Sequence, residues 1–241
     1  MLIVGQNKTT LLDYPGRVAA TIFTGGCNFR CPFCHNGDLV LKPSSLDTFS
    51  EEEVLSFLIK RKNVLKGVCI TGGEPALQED LPDFIKRIKD IGYAVKLDTN
   101  GYMPKILQNL IDDKLLDYVA MDVKNCRAKY GQTVGIENFD IQRIEESIKI
   151  LADAGINYEF RTTVVKELHA EEDLVEIGEW ITGCPHYFLQ QYQENENVIA
   201  NVLNSTAEAF HGYDKSEMED MLRTLDKLPG LTGKVSLRGL A

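Results

Sequence analysis

Short apolar, β-branched runs alternate with helical patterns along most of this chain, and that alternation leaves few architectures open. Arg17–Phe23, Val68–Thr71, Ala94–Asp98, Tyr118–Val123, Tyr158–Val165 and Tyr187–Gln191 read as strands. Helices fall between them. Ser50 has the place of an N-cap, with Glu51 to Glu53 in the first turn of a helix running to about Lys62. Leu81, Phe84, Ile85, Ile88 and Ile91 recur at i, i+3, i+4, i+7 and i+10, an amphipathic helix. Pro104–Asp113 is another, Ile141, Ile144, Ile148 and Leu151 mark a fourth closed by Gly155, and Glu171–Thr182 is a fifth. The last stretch is less regular, with one helix near Glu217–Lys227. Such alternation implies an α/β chain, a parallel sheet covered by outer helices. Six strands are too few for an eight-unit barrel, so a six-unit partial barrel or an open twisted sheet is expected. Either geometry puts a ligand at the carboxyl ends of the strands.

With 241 residues, 44% of them hydrophobic, the chain can bury one sizeable core. It has no repeat and no Pro/Gly-rich linker, so a single domain over residues 1–241 is expected, its core at about 17–192 and a C-terminal extension at 193–241. A net charge of −10 repels phosphate backbones and argues against nucleic acid as a partner. Leu2 to Val4 is too short for a signal sequence, and Gln6, Asn7, Lys8 and Asp13 follow at once. No run approaches the ~18–20 apolar residues of a membrane helix. A cytoplasmic protein without a membrane partner is therefore expected. In that compartment six cysteines are more often reduced, metal-bound or inert than paired. The Asn-x-Ser/Thr triplets at Asn7 and Asn204 carry no weight there.

Three of those cysteines, Cys27, Cys31 and Cys34, fall in one short loop leaving the first strand. Thiolates are the usual ligands of iron–sulfur clusters, and a strand-end loop can wrap a small inorganic group. Three thiolates on a four-iron cluster leave one iron without a protein ligand, the arrangement found where a metal does chemistry rather than structure. The competing reading is structural zinc, with Cys34 and His35 among its ligands. Zinc needs a further Cys/His pair, and Cys69, Cys126 and Cys184 are scattered and read as small buried hydrophobes.

Other strand ends carry polar groups. Thr71-Gly72-Gly73-Glu74-Pro75 follows the second strand, where two glycines allow a backbone to approach a ligand closely. Asp98-Thr99-Asn100-Gly101 ends the third and Met121-Asp122-Val123-Lys124 the fourth. Asn-Gly is also a common turn, with Asp98 or Thr99 capping the helix after it. Asp122 lies between apolar neighbours and needs a partner. Arg161 lies in the fifth strand and needs an anion, with Glu159 and Asp122 as protein candidates. Of Gln190 and Gln191 one must point inward by strand alternation. His169 reads as a solvated loop residue, and His35 as a neighbour of a metal ligand.

The spacing C-x3-C-x2-C resembles the signature of the radical SAM superfamily, and Gly72-Gly73-Glu74-Pro75 its second motif. The resemblance implies a partial (β/α)6 barrel. It implies a [4Fe–4S] cluster on Cys27, Cys31 and Cys34 and S-adenosylmethionine chelated to the open iron, with an electron from the cluster releasing a 5′-deoxyadenosyl radical. It sets Phe33 near adenine, Gly72, Gly73 and Glu74 at the ammonium group, and Arg161 at the carboxylate or ribose. The segments at Asp98, Thr99, Asn100 and at Asp122, Lys124 are similar to those of glycyl-radical-enzyme activases, some of which hold a monovalent cation on the paired aspartates. Lys124 would neutralise that pair or face the substrate. Histidine near Gln190 in those activases is absent here.

The opening Gly5-Gln6-Asn7-Lys8-Thr9-Thr10-Leu11-Leu12-Asp13-Tyr14-Pro15-Gly16, with Phe160-Arg161-Thr162-Thr163-Val164-Val165, resembles the activating proteins of anaerobic ribonucleoside-triphosphate reductase. That branch implies a glycyl radical enzyme, anaerobic ribonucleotide reductase, as partner, and reduced flavodoxin or ferredoxin as electron donor. The eight-cysteine insert of some activases is absent, so one cluster is expected. A radical SAM enzyme acting on a small heterocycle and a non-enzymatic zinc module are the competing readings.

Overall fold

The structure is a computed structural model that describes residues 1–194, 198–199 and 209–240. Asn204 and part of the expected C-terminal extension lie outside the described residues. In chain order the elements are β1 (Ile3–Thr10), β2 (Ala19–Thr24), α1 (Gly37–Leu41), α2 (Glu51–Arg61), β3 (Gly67–Gly72), α3 (Leu81–Ile91), β4 (Ala94–Thr99), α4 (Pro104–Asp112), β5 (Tyr118–Asp122), α5 (Tyr130–Val134), α6 (Gln142–Asp153), β6 (Asn157–Val164), α7 (Glu171–Trp180), β7 (Tyr187–Gln191), α8 (Lys215–Leu225) and β8 (Val235–Arg238). The eight strands form one sheet in sequence order, β1 antiparallel to β2 and all other pairs parallel.

The six expected strands are β2 to β7, in the expected parallel arrangement. Two strands were not foreseen. β1 lies at an edge and exposes Asn7, Lys8 and Thr9, so its sequence lacks a strand's apolar alternation. β8 has only four residues, and its one buried side chain is Val235. Ser50 does cap α2: its hydroxyl accepts the Glu53 N–H at 3.2 Å, and the Glu53 carboxylate accepts the Ser50 N–H at 2.8 Å.

Strand alternation divides the sheet into two unlike faces. Ile70, Leu97, Val119, Phe160 and Leu189 share one core with Phe84 and Ile88 of α3, Leu107 of α4, Ile144 of α6 and Leu174 of α7. The opposite face carries Thr21, Cys69, Lys96 and Tyr118 in one row of strand neighbours. Asp98, Glu159, Asp122 and Arg161 stand on the same face further along the strands. Glu159 is fully buried there. It accepts two hydrogen bonds from the Arg238 guanidinium (2.6 and 3.0 Å) and one from the Tyr118 hydroxyl (2.7 Å). Arg238 lies over the Phe188 ring, 3.4 Å from its centroid. Below this layer, at the amino ends of the strands, Tyr14 packs with Ala19, Ala94 and Tyr118. The polar interior reaches the cavity at the carboxyl ends through Asp98, Asp122 and Arg161. Among the described residues no helix is long and apolar enough to cross a membrane.

Candidate active site

The cysteine loop is clamped as soon as it leaves β2. The Gly73 N–H donates to the Thr24 carbonyl and the Glu74 N–H to the Gly26 carbonyl, both at 2.8 Å, so the loop and the turn after β3 run side by side. On the other flank the Arg30 N–H donates to the Val134 carbonyl at 2.8 Å. The Arg30 guanidinium folds back onto the carbonyls of Cys27 (2.6 Å) and Phe29 (2.8 Å). Held in this way, Cys27, Cys31 and Cys34 open on one cavity of about 250 Å³ at the carboxyl ends of the strands. Burial pushes the Cys27 thiol up to about 11 and Cys31 up to about 12, and raises Cys34 as well. At neutral pH all three are thiols, and ligating a metal releases their protons.

Across the cavity the strand ends supply charge. Asp98 comes from β4, Asp122 and Lys124 from the end of β5, and Arg161 from β6 directly opposite Asp122. Arg161 bridges the two carboxylates, donating from Nε to Asp122 at 2.8 Å and from a terminal nitrogen to Asp98 at 2.9 Å. Lys124 takes the remaining oxygen of Asp122 at 2.9 Å, and Lys96 takes the remaining oxygen of Asp98. Burial alone would raise both carboxyls. The Arg161 and Lys124 charges outweigh it for Asp122 and bring it to about 2, and Arg161 with Lys96 holds Asp98 below the usual carboxylate range. Arg161 answers the question its strand position posed: Asp122 and Asp98 are its partners, and Glu159 belongs to Arg238. At the cavity surface the charges of Asp98 and Asp122 are met by those of Arg161 and Lys124, with Lys96 paired to Asp98 behind the lining.

The other expected site residues divide. Gly72, Gly73, Thr99 and Asn100 line the cavity. Glu74 does not. It is fully buried, and its carboxylate accepts hydrogen bonds from the Asn100 N–H (2.6 Å), the Thr99 hydroxyl (2.8 Å) and the Ala76 N–H (3.0 Å). It ties the turn after β3 to the end of β4 and has no oxygen turned to the cavity. Phe33 is also outside it, set edge-on against Tyr192 and Phe210. Phe29, Val40 and Ile199 supply the apolar wall instead. Gln190 is the inward one of the glutamine pair, whereas Gln191 donates to the Tyr213 carbonyl at 2.8 Å.

His169, expected in solvent, is buried. Its Nδ1 accepts the Val165 N–H at 3.1 Å, and its Nε2 donates to the Lys124 carbonyl at 2.8 Å. The turn after β6 folds back over the sheet end, which a lone histidine beside Lys166 and Glu167 did not reveal. His35 stacks on Tyr192 at 5.0 Å, and its Nε2 donates to the Gln193 carbonyl at 2.6 Å. Lys96 was overlooked although a signal existed: it stands two residues before Asp98, hence on the same strand face.

Among the described residues no three His, Cys, Asp or Glu side chains stand close enough to hold a single metal ion. The three thiols open on one cavity, and thiolates are the usual ligands of an iron–sulfur cluster.

The Radical SAM superfamily pattern matches residues 21–181. A protein of Methanocaldococcus jannaschii, named as a glycyl-radical enzyme activating enzyme, is 35% identical over 201 residues, 81% of each chain. A protein of Thermococcus kodakarensis named as a GTP 3′,8-cyclase is 33% identical over 177 residues, 70% of this chain and 56% of the relative. Streptococcus suis SuiB, solved with S-adenosylmethionine, superposes with a TM-score of 0.66 at 14% identity, covering 89% of this chain and 48% of SuiB. This chain belongs to the radical SAM superfamily. It is a radical SAM enzyme, and membership implies a [4Fe–4S] cluster and S-adenosylmethionine as its cofactors.

Proposed function

We propose that the chain is a glycyl-radical-enzyme activase whose partner is an anaerobic ribonucleotide reductase. The observation that carries the site is the shared cavity, in which three thiols face the paired charges of Asp98, Asp122, Lys124 and Arg161. Cys27, Cys31 and Cys34 would hold the cluster. Arg161 and Lys124 are the cationic groups at the cavity surface that would meet the carboxylate of S-adenosylmethionine, and Gly72 and Gly73 let it approach with backbone alone. Glu74 braces Thr99 and Asn100 from behind and leaves the ammonium group to backbone. Phe33 packs behind the cluster loop, and Phe29 with Ile199 offers the apolar wall for adenine. When bound, the reduced cluster supplies the electron that breaks a carbon–sulfur bond of S-adenosylmethionine, giving methionine and a 5′-deoxyadenosyl radical. An alkali ion is not part of this reading, since all four oxygens of Asp98 and Asp122 already face cationic nitrogens.

The activase branch is supported by the M. jannaschii relative, which aligns with four-fifths of the chain. Reduced flavodoxin or ferredoxin is the proposed electron donor and the cytoplasm the proposed compartment. The likeness to the T. kodakarensis protein favours a second reading, chemistry on a purine nucleotide. The test is anaerobic incubation of the reconstituted protein with S-adenosylmethionine, dithionite and a candidate reductase. A glycyl radical doublet by electron paramagnetic resonance is expected. Cofactor cleavage stimulated by GTP, with no radical on any reductase, would favour the second reading.

A further inference from the structure

We propose that Lys96 is a built-in cation occupying the place an alkali ion would take beside Asp98 and Asp122, so that this site works without sodium or potassium. Lys96 is 2% exposed and sits on β4 in the same strand-face row as Cys69 and Tyr118. Its ammonium pairs with one oxygen of Asp98, stands 3.8 Å from the Cys69 sulfur and 6.0 Å from the centre of the Tyr118 ring. Among the described residues Asp98 is its ion-pair partner.

A buried ammonium must have a counter-charge, so this pairing is not a surface accident that salt would dissolve. The other oxygen of Asp98 and one of Asp122 are spanned by Arg161, and the last by Lys124. Alkali and alkaline-earth ions are hard cations that need several oxygens at once. Here each carboxylate oxygen is already committed to a nitrogen that carries or shares a positive charge. An added metal ion would lose its ligands to those nitrogens and meet three like charges at contact range. Lys96 is thus a positioning residue: it acts through Asp98, which fixes Arg161 toward the cavity. The substitution of a lysine for an ion also explains why a strand buried on both faces tolerates Val95-Lys96-Leu97.

The inference rests on the S-adenosylmethionine reading only in its kinetic arm. Thermal unfolding of the apoprotein is measured in potassium, sodium or tetramethylammonium chloride at equal ionic strength, for wild type, Lys96→Met and Lys96→Arg. Wild type and K96R should melt at the same temperature in all three salts. K96M should melt lower, and potassium or sodium, but not tetramethylammonium, should restore part of the loss. In the kinetic arm, methionine and 5′-deoxyadenosine formation by reconstituted wild type should be the same within twofold in the three salts. In K96M it should fall at least tenfold and recover with an alkali ion. Several-fold activation of wild type by potassium or sodium would overturn the proposal, as would a K96M protein indifferent to the salt in both arms. If K96M does not fold, the wild-type and K96R arms still decide. No cleavage by any protein in any salt, with melting as expected, would overturn the cofactor reading and leave Lys96 standing.

Discussion

A Cβ placed on Gly73 would stand 1.9 Å from the carbonyl oxygen of Gly26, the same oxygen that accepts the Glu74 N–H. The turn after β3 and the loop bearing the cysteines are therefore zipped together at backbone contact, and neither can shift alone. Gly73→Ala must push the cysteine loop away. Overpacking of this kind costs about 1–3 kcal/mol, and the displaced thiols should fail to take up a full complement of iron after anaerobic reconstitution. Gly16→Ala, with positive φ but nothing within 4 Å of its added carbon, should keep iron content at the wild-type level. Iron and sulfide analysis of the two variants makes the comparison.

Glu74 gives a pH signature. Burial raises its carboxyl from 4.5 to about 7 against the three hydrogen bonds that favour its charge. Between those two values the folded chain keeps a proton that the unfolded chain has released. Its contribution to stability is accordingly largest at low pH and declines as pH rises through that interval. Glu74→Gln loses the titration and also sets an amide N–H against a backbone N–H, a mismatch of about 1–3 kcal/mol. The stability advantage of wild type over E74Q should shrink from pH 5 to pH 8 in denaturant titrations. An advantage that stays constant over that range would show that Glu74 does not titrate there.

His169 joins two chain segments through its ring. Removing it leaves the Lys124 carbonyl and the Val165 N–H without their partner. His169→Ala should cost about 1–3 kcal/mol of stability in urea titration. His169→Gln, whose amide can donate in place of Nε2, should recover part of it. An alanine variant as stable as wild type would mean that the buried ring braces nothing.

The ligand set is tested by cysteine replacement. Cys27→Ala, Cys31→Ala and Cys34→Ala should each abolish reductive cleavage of S-adenosylmethionine and lower iron content. Cys126 is buried with its thiol 3.4 Å from Asp173, away from the cavity, so Cys126→Ala should leave iron unchanged. Normal turnover in C31A would contradict the cluster assignment.

What the sequence disclosed was what short stretches encode by themselves. Cys27, Cys31 and Cys34 share a loop, and a strand before them dictates where that loop opens. The charges of Asp98, Asp122 and Arg161 ended up together because parallel strands deliver their carboxyl ends to one rim. Directions of side chains were less legible. Whether Glu74 faces a ligand or the protein depends on Asn100, 26 residues away. Phe33 turns toward Tyr192 and Phe210, partners from the other end of the chain. β1 was hidden because an edge strand in water keeps Asn7, Lys8 and Thr9 exposed, and β8 because four residues are too few to display a period.

Among the described residues the sheet starts at β1 and stops at β8, and those two strands do not pair with each other. A complete ring admits only what can be threaded by an end. A glycine in the interior of another polypeptide offers no end, only a bend. Under the proposed activase reading, a sheet whose two edge strands are left unpaired would let such a bend enter from the side and withdraw again, with both of its flanking segments remaining in water.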